Sequence, residues 1–156
     1  MNDEAWMRLA IEAARKGIQL GQTPFGACIV RGEELICAMH NHVWIDGDIT
    51  AHAEITALRE ACRELKRVEL HDCTIYSTCE PCPMCFTACH WAKLPRVVFG
   101  ASIEHAKAAG FRELTVSSHK LRELGESPVQ IQGGFLENEC AELFAEWLKR
   151  PDRKSY

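Results

Sequence analysis

The 156-residue sequence predicts one α/β domain, three layers deep (α/β/α), around a mixed sheet of about five strands. Three observations predict it. A short-looped hairpin pattern comes early, apolar stripes at helical spacing then alternate with β-branched runs, and no internal repeat or low-complexity linker divides residues 1–156.

Trp6, Leu9, Ala10, Ala13 and Ala14 recur at spacings of three and four, so residues 3–20 form an amphipathic helix that breaks near Gly17 and Gly21. Phe25 to Val30 and Glu34 to His40 are strands joined by Arg31-Gly32-Glu33. A loop over Asn41 to Thr50 follows. Ile55, Leu58, Ala61, Cys62 and Leu65 then share one face of a second helix, which begins near His52. Cys73 to Thr78 is a strand, a helix runs from Pro81 to about Lys93, and Arg96 to Ala101 is again a strand, completing a βαβ unit. Helical fragments at Glu104 to Ala109 and Ser118 to Leu124 precede a last strand at Val129 to Gln132. Leu136, Cys140, Leu143, Phe144, Trp147 and Leu148 mark a terminal helix over Phe135 to Lys149.

Hydrophobic residues are 47% of the chain and charged ones 26%, the balance of a globular protein. Eighteen Lys and Arg against twenty-two Asp and Glu give a formal charge of −4, the wrong sign for gripping phosphate backbones. A small-molecule substrate is therefore expected over nucleic acid, and the basic residues Lys149, Arg150, Arg153 and Lys154 read as a solvated tail. No stretch approaches the roughly 18 apolar residues of a membrane span, and no export signal is visible. Nine cysteines, four of them within residues 79–89, suit metal ligation in a reducing cytoplasm better than a disulfide framework.

Two motifs carry the chemistry: Thr50-Ala51-His52-Ala53-Glu54 and Pro81-Cys82-Pro83-Met84-Cys85, each at a predicted helix start. A Cys-x-x-Cys at a helix N-terminus puts two sulfurs about one turn apart where the helix dipole favours thiolate. With His52 they give three ligands, the count of a catalytic zinc site that leaves a fourth position to water. Glu54, two residues on, sits within reach of that water and can move protons, an effect worth about 10²- to 10⁴-fold. His-x-Glu followed by Pro-Cys-x-x-Cys is the signature of zinc deaminases. Two other readings use the same residues. Cys79, Cys82, Cys85 and Cys89 match the C-x2-C-x2-C-x3-C spacing of iron-sulfur ligands, although His90 stands where that motif has Pro. A closed structural zinc site would draw its fourth ligand from Cys79 or Cys89.

On these motifs the sequence resembles the cytidine deaminase superfamily, from the first helix through about Phe111. Thr23-Pro24-Phe25-Gly26-Ala27 and Cys79-Glu80-Pro81-Cys82-Pro83-Met84-Cys85 are similar to the bacterial guanine deaminase branch. The resemblance implies the cytidine-deaminase-like fold and one Zn2+ per chain on His52, Cys82 and Cys85, with Glu54 as proton shuttle. It further implies a substrate pocket using Phe25, Asn41, Ala53, Trp91, Glu113 and Tyr156. The implied reaction is guanine to xanthine plus ammonia; cytosine, guanosine, tRNA adenosine and an aminotriazine are alternative substrates. It also implies a homodimer in which a tail of about residues 149–156, ending in Tyr156, closes the neighbouring subunit's site. Arg112-Glu113, where that branch has acidic residues, Thr87 in place of Gly and Ile49 in place of Pro depart from the pattern, and residues 112–148 resemble no branch.

Overall fold

The computed structural model describes residues 2–156. Helix α1 (Asp3–Gln19) starts where the Asn2 side chain accepts a hydrogen bond from the Ala5 N–H, and Asp3 and Glu4 place negative charge in its first turn. Strands β1 (Gly26–Arg31) and β2 (Glu34–His40) form the expected antiparallel hairpin, turning at Gly32 with φ +58. Helix α2 (Val43–Asp46) is a single turn, followed by α3 (Ala53–Leu65), β3 (Cys73–Cys79), α4 (Pro83–Trp91) and β4 (Arg96–Ala101). Two short helices, α5 (Ile103–Ala108) and α6 (Ser118–Leu124), lead to β5 (Gln130–Gln132) and α7 (Glu137–Leu148).

The sheet order is β2-β1-β3-β4-β5, antiparallel across β2, β1 and β3 and parallel across β3, β4 and β5. Alternate residues separate its two faces. Cys28, Val30, Tyr76 and Val98 meet α1 and α7; Ala27, Ile29, Ile75 and Val97 meet α3 and α4. The mixed five-stranded sheet between two helical layers is thus the predicted α/β architecture. Among the described residues no helix is long and apolar enough to cross a membrane, and all nine cysteines are free.

Two glycines set how closely the α1–α7 layer approaches the sheet. A Cβ on Gly26 would run into the Ala10 carbonyl oxygen, and one on Gly100 into the Cys140 side chain. Close helix–strand packing here requires the missing side chain.

The differences from the sequence reading have local causes. Helix α2 lies within the predicted loop because the Asn41 side chain accepts from the Val43 N–H and starts a turn that Gly47 ends at φ 61. Helix α4 begins at Pro83 rather than Pro81, since Cys82 holds an extended backbone before it and Pro suits the first helical position. The segment between β4 and β5, with no clear sequence pattern, is tethered by Glu80: its carboxylate accepts from the N–H groups of Ile103 and Ser118 and from the Ser118 hydroxyl.

Replacing Gly100 by Ala should lower stability by about 1–3 kcal/mol through overpacking against Cys140. Urea midpoints of the two proteins check this, and an unchanged midpoint would mean that α7 can yield.

Candidate active site

His52 and Cys82 occupy equivalent places. Each is the residue before the first turn of a helix, α3 or α4, each has an extended backbone (ψ 158 and 169), and neither side chain caps its own helix. They turn toward one another instead. Cys85, one turn into α4, joins them, so Nδ1 of His52 lies 3.6 Å from Cys82 Sγ and 3.5 Å from Cys85 Sγ. A tetrahedral zinc with Zn–N of about 2.0 Å and Zn–S of about 2.3 Å separates nitrogen from sulfur by about 3.5 Å. The three atoms therefore already stand at the spacing of zinc ligands. Among the described residues they are the one group of metal-binding side chains brought together. Cys89 is buried in the core and Cys79 directs its thiol at the Ser102 carbonyl, so the four-cysteine arrangement does not assemble.

The electrostatics favour a cation. Hydrogen bonding from the Cys85 thiol, and then from His52, pulls Cys82 down to about 4 despite its burial. The same bond and burial push Cys85 up. Burial alone would lower His52, but the Cys82 hydrogen bond and the nearby Glu54 raise it. Glu54, second residue of α3, is buried and pushed up by that burial and by the charge of Cys82. Its Oε1 lies 3.0 Å from the Ser77 hydroxyl on β3. Glu113 is pushed up to about 7, first by burial and then by Cys82 and Glu54.

Two chambers meet at these residues. The inner one, about 20 Å³, is bounded by His52, Glu54, Cys82, Glu113 and Phe25; roughly 10–15 Å³ suffices for one water. The outer one, about 350 Å³, opens between Ile49, Met84, Phe111, Arg112 and Leu114, and is within the range of small-molecule pockets. Tyr156 borders both. Its ring stacks on His52 (centroids 5.3 Å, 30°) and meets Phe111 edge-on, while its hydroxyl accepts from Asn41 Nδ2 at 2.7 Å. Phe25 packs edge-on against Phe111 and Phe144.

The predicted residues do not all converge. His52, Glu54, Cys82, Phe25, Glu113 and Tyr156 line the chambers, and Cys85 completes the metal triangle. Asn41 is fully buried behind Tyr156, its amide shared between the Tyr156 hydroxyl and the Val43 N–H. Ala53 is buried in the α3 core. Trp91 sits at the far end of α4, 77% exposed against His90, so within one chain it does not reach the pocket. Within the single chain the tail docks beside this pocket, the Trp44 indole donating to the Lys154 carbonyl and the Tyr156 hydroxyl accepting from Asn41. Trp44 lies on the turn α2, beyond the reach of sequence pattern. Sequence reasoning also passed over Ser77, which strand alternation marks as inward-facing, and Phe111, whose aromatic type was the available signal.

A metal triangle at two helix starts, beside a buried carboxylate and a water-sized chamber, defines a zinc-site hydrolase. Residues 1–101 match the cytidine and deoxycytidylate deaminase zinc-binding region, and the chain belongs to that deaminase family. The chain is 43% identical over 112 residues to a guanine deaminase of Bacillus subtilis, covering 71% of this chain and 72% of that one. It is 35% identical over 148 residues to a tRNA-specific adenosine deaminase of Buchnera aphidicola, covering 94% of each. A solved structure of guanine deaminase from Nitrosomonas europaea superposes with a TM-score of 0.87 at 28% identity, covering 96% of this chain and 86% of that one.

Metal analysis should find about one zinc per chain, and Cys82→Ser or Cys85→Ser should lose it. Because the buried Cys85 thiol must lose its proton to bind, affinity should fall on acidification by about tenfold per pH unit for each proton displaced. Competition with a chelator between pH 7 and 5 measures this, and pH-independent affinity would argue against thiolate ligation.

Proposed function

We propose that the protein is a zinc-dependent aminohydrolase that converts guanine to xanthine and ammonia. The observation that carries this reading is the placement of Glu54 on the water-sized chamber beside His52 and Cys82, with Glu113 on the wall shared with the ring-sized chamber.

Zinc held by His52, Cys82 and Cys85 would lower the pKa of a water from 15.7 toward about 7, supplying hydroxide near neutral pH. The protein's own groups do the rest. Glu54 takes a proton from the attacking water and passes it to the ring nitrogen next to the amino-bearing carbon as the C–O bond forms. It then takes the remaining hydroxyl proton and gives it to the amino group, so that the C–N bond breaks, ammonia leaves and the ring keeps a carbonyl. Burial suits Glu54 to this alternation, because it raises the carboxyl above its ordinary range and so eases the taking up of a proton.

Phe25, Phe111 and Tyr156 supply the aromatic walls a flat base requires, and Glu113 in its ionised form accepts hydrogen bonds from the N–H edge of a purine. Asn41 acts through the Tyr156 hydroxyl it holds, and Ala53 through its place between ligand and acid. Trp91 is not assigned to the base. Nine free thiols suit a reducing compartment, which favours the cytoplasm. A second reading, adenosine in tRNA, is supported by the length of the match to the Buchnera relative, and needs a basic surface that a charge of −4 does not favour.

Ammonia release from guanine, guanosine, adenine, cytosine, an aminotriazine and tRNA should be strongest with guanine; release from tRNA alone would replace this substrate with the second reading. Glu54→Gln should keep its zinc and lose about 10²- to 10⁴-fold in kcat. A variant with full activity would remove Glu54 from the reaction. Burial, Cys82 and Glu54 push Glu113 up to about 7 and bound zinc would pull it back, so KM for guanine should fall as pH rises through its ionisation, at or below about 7. Glu113→Gln should raise KM and abolish that dependence, and a variant that keeps the same pH curve would assign it to another group.

A further inference from the structure

We propose that Ser77 is a positioning residue that keeps the Glu54 carboxyl aimed and hydrogen-bonded through both halves of the reaction. Its hydroxyl lies 3.0 Å from Glu54 Oε1 and 2.7 Å from the Cys79 carbonyl oxygen. The side chain is buried on the central strand β3, between β1 and β4 in the sheet, where no bulk water can substitute for it. Among the described residues no other side-chain hydrogen bond reaches the Glu54 carboxyl.

A hydroxyl has one proton and two lone pairs, and the two neighbours of Ser77 Oγ differ in what they can do. The Cys79 carbonyl can only accept. Glu54 accepts as a carboxylate and donates as a carboxylic acid. When Glu54 is ionised, the Ser77 proton turns to it; when Glu54 carries a proton, that proton is donated to Ser77 Oγ and the Ser77 proton turns to the Cys79 carbonyl. Both states leave Glu54 hydrogen-bonded, and passing between them takes only a rotation about the Ser77 C–O bond. An N–H donor in the same place would favour the ionised state alone, and a carbonyl the protonated one.

The inference rests on Glu54 acting as the proton shuttle. It also explains why a polar side chain is tolerated on the core face of β3, beside the apolar Ile75. Without the hydroxyl, the carboxyl keeps its place on α3 but loses the contact that fixes its direction.

The test compares zinc-loaded wild type, Ser77→Ala and Ser77→Thr with guanine, measuring kcat and KM separately, zinc content and thermal midpoint. Ser77→Ala should lose about 10- to 100-fold in kcat, the scale of a hydrogen bond to a charged group, with KM within about twofold and a full complement of zinc. Ser77→Thr, which keeps the hydroxyl in a residue suited to strands, should recover most of the loss. Full kcat in Ser77→Ala overturns the inference. So does a parallel loss of zinc or rise in KM, or an equal loss in Ser77→Ala and Ser77→Thr with both proteins folded, since each marks a packing role. Failure of wild type to release ammonia from any amino-substituted ring removes the underlying reading instead, whereas an active wild type with an equally active Ser77→Ala removes this inference alone.

Discussion

The site depends on two helices beginning at the same point in space. The metal triangle exists because the residues preceding α3 and α4 are both extended, so the two chains arrive side by side and only then begin to coil. A shift of one helix along its axis by a single residue, about 1.5 Å, would destroy the nitrogen–sulfur spacing. What prevents that shift is the shared core beneath, where Ala57, Leu58, Phe86 and Cys89 pack on Ile75 and Val97 of the two central strands. Packing density converts a sequence of apolar residues into a tolerance of tenths of an ångström at the ligands.

The same convergence explains the electrostatic strain around it. Glu54, Glu113 and the Cys82 thiolate face one another in a largely buried volume, and each pushes its neighbours toward the neutral form. Such a cluster is costly by itself. A divalent cation among them would oppose that repulsion and favour the ionised forms, so the arrangement that is costly without metal is one that attracts it. Glu80, also at this end of β3, spends its charge differently: it is saturated by donors from α5 and α6, and fixes the wall that carries Glu113.

Much of this could be read in the residues. The hairpin, the βαβ unit and the paired motifs were visible because each has a strong local signal: a Gly turn, alternating apolar runs, and ligand types at fixed spacing. The metal ligands and Glu54 belong to that class. Asn41, Trp91 and the tail do not, since their placement depends on which surfaces meet. No periodicity shows that Asn41 lies behind Tyr156, or that Trp91 ends on an outward face of α4. Strand alternation turns Ser77 inward, but a single serine names no chemistry by itself, and only the approach of β3 to the start of α3 gives it a partner.

The docking of Tyr156 has one more consequence. Thr23, Asn41, His52, Phe111 and Tyr156 form a continuous set of contacts within one polypeptide. Thr23 and Tyr156, 133 positions apart in sequence, thus meet on one wall, so the tail is tied to the segment that leads into β1.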